Sequence, residues 1–353
     1  MRVVVVGASG NVGTSVLRSL VDEPRVDEIV GVARRLPAMK WPKTEWVQAD
    51  VVKDDLVPLF RGADAVVHLA WLIQPSRDEE QLHAVNVVGS ERVFRAAGEA
   101  DAGALVYASS IGAYSPGPKD RGVDESWPTD GIETSFYSRH KAATERQLDQ
   151  LEKDHPSLRV VRLRKALIFK REAAAEIRRY FIGPLLPGSL MRTELIPVVP
   201  DVEGLVVQAV HSYDVGEAYR LAIVNGDARG AYNIAADPVI DPDALAEWFD
   251  ARKVVVPPAA VRAAADASWK AHAQPTPPGW VDLALGVPIM DTTRARTELG
   301  WEPKHSSREA LMDLLNGLRD GSGADTPPLA PETSGPGRVR EFVSGVGSRN
   351  PTD

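Results

Sequence analysis

Val3-Val4-Val5-Val6-Gly7-Ala8-Ser9-Gly10-Asn11-Val12-Gly13 opens the chain and decides its fold. Four consecutive valines suit a short strand buried on both faces, as in a parallel sheet. Glycines follow at a G-x-x-G-x-x-G spacing, and an apolar helical pattern over residues 12–21 starts within the turn. Strand, glycine turn and helix N-terminus in that order are what a dinucleotide's pyrophosphate needs. Backbone N–H groups face the phosphates, the helix dipole favours their charge, and no side chain blocks the approach. Gly7, Ser9, Gly10, Asn11, Val12 and Gly13 are therefore the first cofactor-binding candidates.

Short apolar runs recur at residues 2–6, 28–33, 44–48, 65–69, 104–108 and 158–163. Helix-period segments at 12–21, 56–60, 82–97 and 135–153 separate them. This alternation predicts an α/β fold with a Rossmann-type doubly wound parallel sheet. Beyond residue 180 prolines break the chain, leaving helices expected at 241–249, 259–273 and 307–320. A smaller, mainly helical C-terminal substrate lobe is expected there. The organisation predicted is an NAD(P)-binding domain from 1–165 and 205–236, with the lobe built from 166–204 and 237–320. Residues 321–353 are expected to be a flexible tail, because glycine and proline crowd out apolar residues. Arg338, Val339, Arg340 and Phe342 are the residues of that tail able to dock.

Composition removes several classes of function. The 353 residues carry 41 Lys and Arg against 49 Asp and Glu, a formal net charge of −8, which offers no general attraction for nucleic acid or an anionic membrane. No cysteine is present, so disulfides, thiolate catalysis and Cys-type metal centres are excluded. Seven histidines are scattered without an H-E-x-x-H spacing, and no metal site is expected. No run of about 18 apolar residues occurs, and the N-terminus lacks a signal-peptide pattern. A cytoplasmic protein with a small-molecule substrate is expected.

The second strand ends Val32-Ala33-Arg34-Arg35. A carboxylate at this point would bond the ribose 2′-hydroxyl of NAD, whereas arginine can pair with the 2′-phosphate of NADP. Arg34 and Arg35 tilt the cofactor towards NADP and leave NAD open. Further on, Tyr137-Ser138-Arg139-His140-Lys141 places a phenol and an ammonium one helical turn apart on one face. A phenol with a reference pKa near 10 is a poor base at neutral pH, and a neighbouring ammonium favours its ionised form. Such a phenol can exchange a proton with a substrate oxygen while hydride moves to or from a nicotinamide.

The glycine turn and the Tyr137/Lys141 spacing resemble the extended short-chain dehydrogenase/reductase superfamily, which includes the NAD-dependent sugar-nucleotide epimerases and dehydratases. The resemblance covers roughly residues 1–315. It implies that Ser110, in Tyr107-Ala108-Ser109-Ser110, bonds the reacting oxygen, with Ser109 as the neighbouring alternative. It implies that Asn86 supports the catalytic set, or serves as a structural helix residue. Asp50 and Val51 correspond to the residues beside the adenine, and His68-Leu69-Ala70 to the small-residue turn under the cofactor, with His68 read as structural. Tyr137 and Lys141 would contact the cofactor as well as the substrate. Pairing as a homodimer is also implied.

The family's R-P-x-x-x-Y/F-G-P reads here Arg164-Lys165-Ala166-Leu167-Ile168-Phe169-Lys170-Arg171. Lys165 and Lys170 either reshape the loop, bring positive charge to an anionic substrate, or face solvent. Asp214 and Asp291 resemble helix caps of the family. Arg178, Arg179 and Arg192 lie where relatives hold a nucleotide diphosphate, and Trp71 and Gln74 are pocket candidates by position. The implied function is an NAD(P)-dependent oxidoreductase of epimerase/dehydratase type. The alternatives are an NADPH-dependent carbonyl reductase and a non-catalytic dinucleotide-sensing protein of the same fold.

Overall fold

Seven parallel strands form the central sheet of the computed structural model, which describes residues 1–74, 77–182, 196–272 and 276–331. In chain order they are β1 (Arg2–Val6), β2 (Glu28–Ala33), β3 (Thr44–Gln48), β4 (Ala65–His68), β5 (Ala104–Tyr107), β6 (Arg159–Lys165) and, after strands that lie outside this sheet, β9 (Gly230–Ile234). The order across the sheet is β9-β6-β5-β4-β1-β2-β3, and every neighbouring pair is parallel. Strand order reverses between β1 and β4, opening a crevice beyond their C-terminal ends.

The valines of β1 show why the sheet is covered twice. Val3 and Val5 enter one apolar layer with Val16, Leu17 and Leu20 of α1 (Asn11–Val21) and Val215 and Ala218 of α4 (Ser212–Val224). Val4 and Val6 enter the other, with Val93, Phe94 and Ala97 of the helix α2. That helix runs through Glu79–His83, a wider π turn at Ala84–Val88, and Gly89–Glu99. Helix α3 (Phe136–Asp154) begins at the Ser135 side chain, which accepts the Ser138 N–H.

Strand β6 runs two residues beyond the apolar pattern, through Arg164 and Lys165. The pattern stops at charged residues, but here the charges are buried and hydrogen-bonded inside the molecule. Between residues 205 and 235 only β9 joins the main sheet. The strand β8 (Val207–His211) lies between β7 (Leu167–Phe169) and β10 (Ala236–Ile240) in a separate three-stranded sheet.

Helices α5 (Gly279–Gly286) and α6 (Ser307–Asp320) belong to the C-terminal part. Asp214 is not a helix cap. His211 begins α4, while the Asp214 carboxylate accepts the His305 N–H at 2.9 Å. Asp291 does accept the Thr293 N–H at the start of a helix, at 2.8 Å. In the described part of the tail, Leu329 is fully buried and its carbonyl accepts the Ala324 N–H. Arg338, Val339, Arg340 and Phe342 lie outside the described residues. Among the described residues no helix is long and apolar enough to cross a membrane.

Candidate active site

Gly7 turns the chain at the end of β1 with φ +87°, a conformation that disfavours side chains. A Cβ there would come within 2.7 Å of the Ala70 nitrogen, so the turn sits directly against the end of β4 at Leu69 and Ala70. Gly13 is equally constrained, because a Cβ would meet the Gly7 carbonyl at 2.4 Å. The Gly7 and Ala8 N–H groups donate to Val32 O, which brings the end of β2 and Arg34 to the same rim. Gly10 starts α1 without any side-chain cap, and Asn11 Oδ1 is buried with no hydrogen-bond partner. An uncapped helix N-terminus beside a backbone-only cradle fits the diphosphate of a dinucleotide.

Around the rim, Arg34 and Arg35 are exposed beyond β2, and Gln48 Nε2 donates to the Arg34 carbonyl. Asp50 shapes the turn after β3 by accepting the Val52 N–H at 3.0 Å, while Val51 is buried against the core. Asn86 is fully buried in the π turn. Its Oδ1 accepts the Leu72 N–H at 2.7 Å and its Nδ2 donates to Leu72 O at 2.9 Å. Its amide thereby pins the segment after β4, which carries Trp71. Burial drives the His68 imidazole down to about 3, and its Nε2 meets Ser90 Oγ at 2.9 Å.

Ser109 and Ser110 leave β5 in opposite directions. Ser109 Oγ donates to Glu145 Oε1 in the core, whereas the Ser110 hydroxyl accepts the Gly112 N–H at 3.0 Å and lies beside the Tyr137 phenol, whose ionisation it favours. Tyr137 packs between two indoles. Trp280 of α5 lies 5.2 Å from its ring centre and Trp71 meets it edge-on at 5.9 Å. Gln74 is buried nearby in sequence.

Lys141 shares the inner face of α3 with Tyr137, and its Nζ is 6.0 Å from the Tyr137 ring centre. The ammonium donates to Ala108 O at 2.7 Å and Tyr107 Oη at 3.2 Å, and sits 3.3 Å from the Trp71 ring centre. The phenol is accordingly not lowered by it. Burial pushes Tyr137 up to about 12, opposed by the neighbouring Ser110 hydroxyl. Lys141 falls well below the usual lysine range through burial, with the Lys165 charge acting in the same direction.

Neither lysine of the altered Arg164-to-Arg171 stretch faces solvent. Lys165 Nζ donates to Tyr219 Oη at 3.0 Å, and burial brings it down to about 7. Lys170 Nζ reaches across to α1, donating to Asn11 O at 2.8 Å and Thr14 Oγ1 at 2.7 Å. Arg178 and Arg179 lie in the short helical stretch after β7, and Arg192 lies outside the described residues.

Sequence reasoning missed Glu145. It lies four residues after Lys141 and accepts from Arg164 Nε at 3.1 Å, Arg164 Nη2 at 3.0 Å and Arg162 Nη1 at 3.0 Å. Burial alone would raise this carboxyl, but the Arg164 and Arg162 charges hold it at about 2. The spacing Tyr137, Lys141, Glu145 along one helical face was the available signal. Trp280 carried none, because only the tertiary fold brings α5 to Tyr137.

Comparison with known proteins agrees with this fold. The family model described as "NAD dependent epimerase/dehydratase family" matches residues 3–235. Uncharacterized protein Rv0501 of Mycobacterium tuberculosis is 26% identical over 372 residues, covering 99% of this chain and 92% of that protein. L-arabinose 1-dehydrogenase (NAD(P)(+)) of Haloferax volcanii is 34% identical over 110 residues, which is 31% of this chain and 41% of the relative. The structure of UDP-glucose 4-epimerase from Thermus thermophilus, in complex with NAD, shares the fold. It aligns with a TM-score of 0.64 at 21% identity over 90% of this chain and 99% of that one.

Proposed function

The chain belongs to the NAD dependent epimerase/dehydratase family, and from that premise we propose an NAD(P)-dependent oxidoreductase acting at a hydroxyl or carbonyl carbon, with Tyr137 as acid/base. The observation that carries the reading is the approach of the Ser110 hydroxyl to the Tyr137 phenol, at the carboxyl end of the sheet beside the Gly7 cradle.

The nicotinamide, when bound, supplies or takes the hydride. Gly7, Ser9, Gly10, Asn11, Val12 and Gly13 would hold the diphosphate, with Asp50 and Val51 beside the adenine and Leu69 and Ala70 under the cofactor. Ser110 donates to the substrate oxygen and Tyr137 passes the proton. A phenol held near 12 is neutral at pH 7 and ready to donate in the reducing direction. In the oxidising direction Lys141 must turn from Tyr107 towards the phenol, where its charge favours proton removal. Asn86 holds the strap carrying Trp71 against this site. Residues 166–204 and 237–320 form the lobe that takes the substrate.

A sugar nucleotide is the first substrate class we propose, supported by the epimerase of like fold and by the arginines at 178 and 179. Net reduction of a carbonyl by NADPH is the second reading. Arg34 and Arg35 at the end of β2 favour it, as arginine there suits a 2′-phosphate.

Tyr137→Phe tests the catalytic assignment. Turnover with UDP- and dTDP-sugars and simple ketones should fall about 10²- to 10⁴-fold, while NAD(P)H affinity stays unchanged. Undiminished turnover would sink the acid/base role. Cofactor retained through purification favours transient oxidation at one site, and cofactor released each cycle favours net reduction.

A further inference from the structure

Lys170 follows β7 as an almost fully buried cation, 2% exposed, and its side chain crosses to the first turn of α1. Its Nζ donates to Asn11 O at 2.8 Å, Thr14 Oγ1 at 2.7 Å and Ser15 Oγ at 3.1 Å. All three acceptors are neutral oxygens. Ser15 Oγ is itself bonded to Ser212 Oγ at 2.8 Å, so α1, α4 and β7 converge on this one ammonium. Placing a cation among neutral acceptors in the interior is costly, and a purely structural clasp does not require a charge. What the charge does have is position. It sits behind Asn11, the first residue of the uncapped helix whose N–H groups form the phosphate cradle.

We propose that Lys170 is a cofactor-affinity residue, whose ammonium behind the first turn of α1 adds a full positive charge to the cradle that holds the dinucleotide's diphosphate. This rests on the dinucleotide reading above. The helix end supplies about half a unit charge, and Lys170 reinforces it from the protein side without contacting the ligand. A unit charge one to two helical turns away, with the water-filled cradle screening at close to the bulk dielectric of about 80, is worth on the order of tenfold in affinity for a doubly charged group.

The charged groups around Lys170 are Glu172 and Glu176 after β7 and Arg18 on α1. The Tyr213 ring of α4 lies 5.8 Å away, its hydroxyl donating to Glu172. Burial brings Lys170 down to about 8, so its charge is present at pH 7 and is lost as pH rises through that value. The diphosphate diester stays doubly negative throughout.

Titration calorimetry of the full chain with ADP-ribose and with adenosine tests the proposal. Lys170→Met should weaken ADP-ribose about tenfold and leave adenosine unchanged, with the thermal midpoint showing that the variant is folded. The wild-type protein should bind ADP-ribose progressively less well from about pH 7 to about pH 9.5, which needs no variant. Equal losses for both ligands, unchanged ADP-ribose binding in folded Lys170→Met, or a flat wild-type pH profile would each overturn it. Absence of ADP-ribose binding by the wild-type protein at any pH would overturn the dinucleotide reading as well, and so is distinguishable from failure of Lys170 alone.

Discussion

Tyr137 and Lys141 show how the same pair of residues can be arranged in more than one electrical state. They occupy one face of α3, yet the ammonium is engaged by Ala108, Tyr107 and the Trp71 ring, and burial keeps the phenol protonated. Reduction therefore needs no prior ionisation of Tyr137, whereas oxidation needs Lys141 to reorient. At the cofactor's other end, the proposed role of Arg34 rests on its place where β2 meets the glycine turn. Arg34→Asp should lower kcat/KM with NADPH by about 10- to 100-fold, since the substitution removes a charge-assisted pair and adds repulsion towards the 2′-phosphate. NADH should be unaffected or improved. Steady-state kinetics with both cofactors reads this directly, and an unchanged NADPH-to-NADH ratio would remove Arg34 from cofactor selection.

Helix α3 carries three functions in consecutive turns of one face: phenol, ammonium and the Glu145 carboxylate. Glu145 anchors the helix to β6 through Arg162 and Arg164, and Arg164 continues to Tyr114 Oη at 3.1 Å. These groups are buried, so removing the anion takes the carboxylate from interior Arg164, while Arg162 keeps Asp149 and Glu152. Glu145→Ala should cost about 3–5 kcal/mol of unfolding free energy by urea titration, the usual result of breaking a buried ion pair from one side. A cost below about 1 kcal/mol would show that water or rearrangement satisfies Arg164. The element pattern was readable here, but its purpose was not. Arg162, Arg164 and Lys165 look like the end of a strand in the linear pattern, while in the fold they are its most heavily bonded part. The π turn holding Asn86 was likewise invisible, because a helix widened by one residue preserves the apolar pattern on either side.

For the molecule as a whole, buried titratable groups set a pH profile of stability. Lys165 and Lys170 are lowered from 10.5 to about 7 and about 8, so the unfolded chain binds more protons and stability rises with pH across that interval. Tyr114 and Tyr137 are raised from 10.0 to about 12, so stability falls once the unfolded tyrosines ionise above 10. On the acid side, His68 is lowered from 6.5 to about 3 and Glu145 from 4.5 to about 2, so stability falls as pH drops below 6.5 and again below 4.5. Thermal midpoints across about pH 4–11 should therefore peak between about 8 and 10. A maximum at neutral pH, declining by about pH 9, would contradict the burial of the two lysines. The resemblance to a family supplied the serine candidate, while the sequence by itself determined the doubly wound sheet, the glycine cradle, and the tyrosine and lysine candidates. Those depend on short-range regularities: strand runs, helical spacing and glycine where backbone must approach backbone. Only the tertiary structure decided that Ser110 rather than Ser109 meets Tyr137, that Trp280 walls the site, and that Lys170 stands behind the phosphate turn, 155 to 159 residues away from its partners in the chain. A side chain's partner across the core depends on how layers of the fold stack, and no local periodicity encodes that distance.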